Sequence, residues 1–352
     1  MDLRNNLFRY ATSELSQDAF LCWLASFALE DAKPDRALQA CAHELLECFV
    51  PSLKDSPFAV MDIERQVGHI DVLLTVVSRD RTYKIIVEDK TFTSEHDNQL
   101  QRYLIQGQNT WPDCTVCGVY YKMGFQSDLS HVKAAGYQIV TREQMLNLMA
   151  KYRDQTTNPI FLDYYNWWSE YHRQTLLYQQ LPLARWNSQQ ILGFYHFLQT
   201  GGFAADHHVW MGYGYVSNPK GGFEGLWMGL HDNQFILLDV SCSLYLQIEP
   251  QWNTERQEQT FPICLKLSLD EIKSTSVSAK TIRDALIYDS PGRYCLIDFQ
   301  FQRPARMRSG KHITIGEYTR PSGETAAQFQ DTLAAAINDY RSFLQKVQSL
   351  AP

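Results

Sequence analysis

The sequence contains no apolar run near the roughly 20 residues that a membrane-spanning helix requires. Its first residues, MDLRNNLFRYATSE, also lack the basic and then apolar order of a secretory signal peptide. These two absences argue against a membrane protein and against a secreted one. We therefore expect a soluble chain in the cytoplasm that has no membrane partner.

A repeated metal-binding cysteine pattern is missing as well. The eight cysteines are scattered, and the CxxC pair of Cys114 and Cys117 has no second CxxC or CxxH at zinc-ribbon spacing. Zinc or redox chemistry is the alternative at this pair, but its strand-like context (CTVCGVYYK) favours packed thiols. The cysteines are predicted to be reduced, as is usual in cytosolic proteins.

The chain has no excess of positive charge, since its formal net charge is −7. This balance gives no overall signature of nucleic-acid binding, although enzymes that act on DNA often confine positive charge to one groove. One local run, RPARMRSGKHITIGEYTR, is basic, and a solvated basic loop is the alternative explanation for it. We predict that this run contacts DNA through Arg303, Arg306, Arg308 and Lys311.

The length of 352 residues exceeds the size at which one hydrophobic core usually stops growing, so two domains are expected. In the first half, the spacing of apolar residues predicts two helices, a three-stranded meander, a helix from Ser94, two further strands and a helix. That order describes an α/β sandwich with a central mixed β-sheet flanked by helices. We assign it to residues 1–180, which end in an aromatic-rich helix.

The second half, residues 181–352, is predicted as an α+β domain. A helix (SQQILGFYHFLQTGG) precedes the strands HHVWMGYGYVS, GLWMGLH, FILLDVSCSLYLQIE and FPICLKLSL, and a long helix ends the chain. The glycines of GYGYVSNPKGG lack phosphate-loop spacing and are interpreted as hairpin turns. Recruitment of a partner protein, or contact with a second copy of the chain, is the role expected for this domain.

An acidic pair and a lysine end the strand-like run TYKIIVEDK. Because strand side chains alternate between faces, Glu88 and Lys90 project to one side and Asp89 to the other. If a hairpin closes around SRDR (residues 78–81), Asp71 of the preceding strand lies directly opposite Glu88. A solvated ion pair is the alternative for Glu88 and Lys90, but a charge inside the apolar run HIDVLLTVV is unfavourable unless it is paired or metal-bound.

Two carboxylates at this separation repel each other unless a positive charge lies between them. A divalent cation that prefers oxygen ligands, Mg²⁺ or Mn²⁺, is the natural occupant. Beside it, Lys90 would orient or activate a water, or hold a phosphate oxygen. We therefore predict phosphodiester hydrolysis with Asp71 and Glu88 as metal ligands and Lys90 as a catalytic residue.

The segments that contain Asp71, Glu88 and Lys90 resemble a known family. "GHIDVLLTV" followed by "KIIVEDK" is similar to the core of the PD-(D/E)XK nuclease superfamily, which includes restriction endonucleases and RecB-type exonucleases. The resemblance implies a restriction-endonuclease-like fold and the same roles for Asp71, Glu88 and Lys90. It also implies that the main-chain carbonyl of Asp89 completes the metal shell. The proline of the family motif is replaced by Ile70, at a position that varies widely.

Two further elements extend this resemblance over residues 10–150. Gln99 and Tyr103 of QLQRY lie on one helix face and are similar to the Q-x-x-x-Y element of RecB-like nucleases, which supports the site and its DNA contacts. An ordinary amphipathic helix is the alternative. Glu14 of SELSQDAFLCWL resembles the N-terminal glutamate that many of these nucleases add as a metal ligand, with a solvated or capping role as the alternative. The sequence pattern ELS-x-D-A-F near the start of the chain is typical of a bacterial branch of the superfamily.

Two functions from different classes follow. The first is a Mg²⁺-dependent deoxyribonuclease, for which the family resemblance suggests a role in phage defence or DNA processing, and RNA is the alternative substrate. The second is a catalytically inactive protein of the nuclease fold that binds nucleic acid or regulates a partner. The intact set of Asp71, Glu88 and Lys90 favours the enzyme.

Overall fold

The structure is a computed structural model that describes residues 3–29, 35–79, 81–95, 98–218, 221–269, 277–290, 292–307 and 310–350. The chain divides into two compact units, Met1–Arg173 and Gln174–Pro352. This division falls within the aromatic-rich helix, a few residues before the boundary predicted after residue 180. No helix in the described ranges is both long enough and apolar enough to cross a membrane.

The first unit is built on a mixed sheet in the order β1-β2-β3-β4-β5, counted over the described residues. The strands are β1 Ala59–Val67, β2 Ile70–Ser78, β3 Arg81–Lys90, β4 Thr115–Lys122 and β5 Gln138–Thr141. Strands β1 to β3 form an antiparallel meander, whereas β3, β4 and β5 pair in parallel. The central strands are buried on both faces, which explains why their sequences are near-continuous apolar runs.

Helices cover both faces of this sheet, so the predicted mixed α/β architecture is confirmed. The helices are α1 Glu14–Ala25, α2 Arg36–Phe49, α3 Gln99–Thr110, α4 Ser130–Ala134, α5 Arg142–Ala150 and α6 Pro159–Leu176. Even-numbered residues of β2, such as Val72, join a large core with α1 and α2. Odd-numbered Leu73 packs on the other face with Ile86 and the α3 residues Tyr103 and Leu104.

Helix α3 begins at Gln99 rather than at Ser94, so that predicted start was wrong. The segment before the helix makes tertiary contacts instead of helical ones. The hydroxyl of Thr93 donates a hydrogen bond to Glu14, and its carbonyl accepts one from Lys122. These contacts connect the segment to α1 and β4.

The second unit contains a larger sheet, ordered β15-β16-β12-β9-β7-β6 with β8 paired to β9, within the described residues. Its strands are β6 Val209–Val216, β7 Phe223–Leu230, β8 Gln234–Leu237, β9 Val240–Ile248, β10 Gln251–Asn253, β11 Glu258–Thr260, β12 Ile263–Leu269, β13 Tyr288–Ser290, β14 Arg293–Tyr294, β15 Phe301–Gln302 and β16 His312–Tyr318. Strands β10 with β11, and β13 with β14, form separate small ladders.

Four helices lie in the described part of this unit: α7 Ser188–Thr200, α8 Phe203–Asp206, α9 Ala279–Ile287 and α10 Ala326–Leu350. Helix α10 packs on the sheet through buried residues such as Phe329 and Tyr340, and the Tyr340 hydroxyl donates to the Leu244 carbonyl at 2.6 Å. The interpretation of every GYGYVSNPKGG glycine as a turn was wrong. Gly212 and Gly214 lie inside β6, opposite Trp227 and Gly225.

Candidate active site

Strands β2 and β3 pair in the register that the sequence predicted, with Val77 opposite Thr82 and Val72 opposite Val87. Continuing this register by one position brings Asp71 to the Glu88 end of β3. The Asp89 amide donates to Asp71 Oδ2 at 2.9 Å, so the main chain of β3 holds the carboxylate. The Asp71 side chain is 22% exposed, which leaves it open to solvent at the end of the sheet.

Lys90 joins this pair on the same face. Its Nζ lies 2.6 Å from Glu88 Oε1 and 3.9 Å from Asp71 Oδ2. Burial disfavours the charged form of Lys90, but the hydrogen bond and charge of Glu88, helped by Asp71, outweigh burial and raise the Lys90 pKa. The ammonium therefore stays protonated and lies between two carboxylates.

Glu88 is fully buried, and only one of its two carboxylate oxygens has a hydrogen-bond partner among the described residues. Gln99 and Lys90 both bind Oε1, whereas Oε2 is buried without a hydrogen-bond partner among the described residues. Burial and the charge of Asp71 raise the Glu88 pKa to about 7, against the opposing effect of Lys90. A buried carboxylate oxygen without a partner is unfavourable, so Oε2 is a vacant donor atom for a cation or a proton.

Gln99 and Tyr103 extend from the first turns of α3 toward Glu88. The Gln99 side-chain amide donates to Glu88 Oε1 at 2.8 Å and also to the Tyr103 hydroxyl at 3.0 Å. The i, i+4 spacing that pointed to this pair therefore corresponds to a hydrogen-bonded chain that ends on the acidic cluster. The supporting role that the resemblance implied for Gln99 and Tyr103 stays a prediction.

Glu14 stands at the first residue of α1 and reaches the segment that follows β3. Its Oε1 accepts hydrogen bonds from the Thr91 amide at 3.1 Å and from the Thr93 hydroxyl at 2.6 Å. Its negative charge also contributes to the raised pKa values of Glu88 and Lys90. Glu14 thus ties α1 to the strand end, and its role as a metal ligand stays a prediction.

Asp89 lies on the opposite face of β3, as strand alternation predicted. Its side chain is fully buried, and both carboxyl oxygens are without hydrogen-bond partners in the described parts of the chain. Burial, reinforced by the charges of Asp18 and Glu14, raises its pKa well above the usual value. Burial therefore favours the protonated side chain, and it is a main-chain group of Asp89, its amide, that contacts Asp71.

Sequence reasoning missed Asp18 and Gln66. The Gln66 side-chain amide donates to Asp18 Oδ2 at 2.9 Å and to Asp71 Oδ1 at 3.3 Å, so it bridges the two acids. Burial and the charge of Asp71 raise the Asp18 pKa to about 6. Because Glu14 and Asp18 are four residues apart on α1, helical spacing was the available signal for Asp18.

A second lysine near the site was also missed. Lys122 pairs with Lys90 across β3 and β4, is buried, and donates a hydrogen bond to the Thr93 carbonyl. Burial lowers its pKa to about 8. Its sequence context, GVYYK, looks like an ordinary strand end, so the sequence offered no signal for this position.

The donor set fits an oxygen-preferring divalent cation. Asp71, the vacant Oε2 of Glu88 and the Asp89 main-chain carbonyl are all oxygen donors, and Mg²⁺ commonly uses only one or two carboxylates. Among the described residues, no three histidine, cysteine, aspartate or glutamate side chains are grouped as a metal cluster. The set is therefore two acidic side chains and one carbonyl rather than a closed cage.

The basic residues predicted to contact DNA belong to the second unit. Arg303, Arg306 and Lys311 are exposed, whereas Arg308 lies outside the described residues. Their contact with DNA stays a prediction, since the acidic cluster of the first unit gives no information about it.

Comparison with known proteins adds nothing to these assignments. No protein-family model, curated protein or solved structure matches the chain. The geometry of the site itself is therefore the basis for a proposed function.

Proposed function

We propose that this chain is a metal-dependent nuclease of the PD-(D/E)XK type that hydrolyses phosphodiester bonds of DNA. The observation that carries the proposal is the cluster at the ends of β2 and β3. There Lys90 lies between Asp71 and Glu88, and Glu88 keeps a buried oxygen without a partner in the described structure. A lysine beside two carboxylates is the arrangement that the resemblance to this superfamily implies.

Each residue of the cluster has a definable role. Asp71, Glu88 and the Asp89 carbonyl would hold the cation, and Gln99 fixes the Glu88 carboxylate by its hydrogen bond. When bound, the ion would polarise the phosphate and lower the pKa of a coordinated water. Lys90, kept protonated by its acidic neighbours, binds a phosphate oxygen or orients the attacking water.

The test is a cleavage panel with Mg²⁺ or Mn²⁺ on supercoiled plasmid, linear duplex DNA, single-stranded DNA and RNA. Wild-type protein should cleave DNA, and Glu88→Gln should lower the rate by at least about 10²-fold, because even groups that only support a metal ligand are worth 10- to 100-fold. Glu47→Gln, on helix α2, is the matched control and should cleave normally.

Three outcomes would reject the proposal in different ways. Cleavage of RNA alone would reject DNA as the substrate. Equal rates for wild type and Glu88→Gln would reject the site. No cleavage of any substrate, together with Mn²⁺ binding that does not depend on Asp71 in calorimetry, would favour the catalytically inactive nucleic-acid-binding protein.

A further inference from the structure

One face of the large sheet in the second unit carries aromatic rings. Along β9 and β12, alternate residues such as Leu244 and Leu265 are fully buried in the core with α10. The residues between them project from the other face. We call this face the aromatic face and define it by Trp210, Trp227, Tyr245 and His312.

Strand pairing between distant parts of the chain assembles this face. Trp210 lies on β6 and is opposite Gly229, while Trp227 lies on β7 and is opposite Gln247 of β9. The Trp210 and Tyr245 ring centroids are 6.5 Å apart, and those of Tyr245 and His312 are 6.2 Å apart. The rings thus form a row across most of the sheet.

Glycines beneath the two indoles allow them to lie against the strands. A Cβ atom at Gly212 would clash with Trp227 Nε1, and one at Gly229 would stand 2.7 Å from the Trp210 ring. Only glycine leaves this space free. Each tryptophan therefore covers the backbone of a neighbouring strand and stays partly exposed, which is the geometry of a stacking surface.

Polar groups lie between the rings. A concavity of about 350 Å³ on this face is lined by the rings together with Asn233, Ser243, Gln247 and Ser268. Ser243 is the most exposed of these four, whereas the buried Asn233 amide already donates to the Leu244 carbonyl at 2.9 Å. Hydroxyl and amide groups of this kind can donate and accept hydrogen bonds at the edge of a base. The face therefore combines flat apolar rings with hydrogen-bonding groups, as a base requires.

Positive charge continues along the edge of the same sheet. Exposed Lys311 directly precedes His312 at the start of β16, and exposed Arg303 and Arg306 lie in the segment between β15 and β16. Within the sheet, Lys266 is already balanced, because its Nζ lies 2.5 Å from Glu249 Oε1. The exposed basic residues thus lie at the rim, where a phosphate backbone would run.

We infer that the aromatic face binds single-stranded nucleic acid. Bases stack on Trp210, Trp227 and Tyr245, and phosphates follow the basic run before β16. An unpaired strand is required because a duplex keeps the faces of its bases stacked on one another. A neutral sugar chain could also stack on these rings, but it would make no use of the basic rim.

The binding test is independent of cleavage because it is done on the full-length chain in EDTA. A fluorescein-labelled oligo(dT) is titrated with protein and followed by anisotropy. Trp227→Leu and Trp210→Leu should each weaken binding about tenfold, equivalent to about 1.4 kcal/mol, since each removes one stacking contact. Trp252→Leu, an exposed tryptophan on β10, is the matched control and should bind as wild type.

Trp227→Phe guards against a folding artefact, since it keeps an aromatic ring and should bind more tightly than Trp227→Leu. Equal affinity of wild type, Trp210→Leu and Trp227→Leu would overturn the inference. So would an equal loss of affinity for duplex DNA in these variants, or binding of a neutral glucan oligosaccharide in place of the oligonucleotide.

A second measurement tests the basic rim. The logarithm of affinity falls with the logarithm of salt concentration by about 0.7 per single-strand phosphate contact. Lys311→Ala should therefore reduce this slope by about 0.7. Lys346→Ala, a lysine of α10 that lies 3.7 Å from Asp289, is the control and should leave the slope unchanged. An unchanged slope in Lys311→Ala would remove the basic run from the binding surface.

Discussion

The two units differ in what they bury. In the described part of the first unit, five charged residues are almost inaccessible to solvent: Asp18, Glu88, Asp89, Lys122 and Arg142. In the described part of the second unit, every buried polar residue is uncharged: Thr175, Gln190, Asn233, Gln247 and Ser268. Buried charge is unfavourable unless it is paired, so the first unit accepts an energetic penalty that the second avoids.

Several of the buried charged groups in the first unit have only some of their polar atoms hydrogen-bonded. Arg142 donates to the Met123 carbonyl at 2.9 Å and lies over the Phe125 and Tyr171 rings. Its Nε, however, is buried without a hydrogen-bond partner among the described residues, and so is at least one oxygen of each of the three acids, Asp18, Glu88 and Asp89. The first unit therefore concentrates carboxyl groups around one strand end, where Lys90 pairs with Glu88 and Asp71. The second unit instead presents aromatic rings on a partly exposed sheet face, with Lys266 paired to Glu249 and exposed basic residues at the rim.

The largest expected effect is on the cleavage rate and compares one lysine from each of the two large sheets. Lys90→Ala should lower the cleavage rate by about 10²- to 10³-fold, the usual cost of removing one group that stabilises charge in the transition state. Lys266→Ala should cleave at the wild-type rate, because Lys266 contacts Glu249 and Thr314 in the second unit. Initial rates on plasmid DNA with Mg²⁺ measure both.

Two results would contradict this contrast between the units. Equal loss of cleavage in the two lysine variants would place a catalytic role in the second unit. Full activity of Lys90→Ala would mean that the acidic cluster works without its lysine.

The next effect tests how tightly the aromatic face is packed. Gly212→Ala should lower the free energy of unfolding by about 1 to 3 kcal/mol, because the new Cβ would clash with Trp227 Nε1. Gly214→Ala, on the same strand, should be much milder, since its Cβ would meet Trp227 only at 3.6 Å. Urea unfolding measures both. Equal stability of the two variants would show that the indole does not lie over Gly212.

The smallest effect probes the buried acids of the first unit. The Asp18 pKa is raised to about 6, so the folded chain binds more protons there than the unfolded chain does. Its stabilising contribution is full below its ordinary pKa of 3.8 and is lost as pH rises through 6. In EDTA, Asp18→Asn should therefore raise the free energy of unfolding by about 1 kcal/mol at pH 7.5 relative to wild type, and this gain should disappear near pH 4.

Asp331→Asn, at an exposed position of α10, is the control from the second unit. Its stability should stay within about 0.5 kcal/mol of wild type at both pH values. A loss of stability in Asp18→Asn at pH 7.5 would mean that the ionised acid is stabilised by Gln66 more than burial destabilises it.

Local patterns predicted much of the first unit. The order of helices and strands and the register of β2 with β3 are both found in the structure. Some turns were harder to predict from the sequence than helices and strands were. FILLDVSCSLYLQIE was predicted as one strand, but Leu238 and Asp239 adopt left-handed φ values of 52° and 60° and close a hairpin between β8 and β9. Asp239 is a residue that such turns favour, but Leu238 is not, and no glycine marks the turn within this apolar run.

The side chains that share a strand face could be identified from the sequence alone. The alternation of side chains along one strand predicted that Glu88 and Lys90 share a face and that Asp89 lies on the other. The face on which a strand side chain lies depends only on its position relative to its neighbours in the sequence. Which strands and helices meet was set by tertiary packing. The Gln66 bridge from Asp18 to Asp71 joins α1 to the meander, and the aromatic face joins strands that are far apart in the chain. Such contacts depend on the packing of whole elements, which no local pattern encodes.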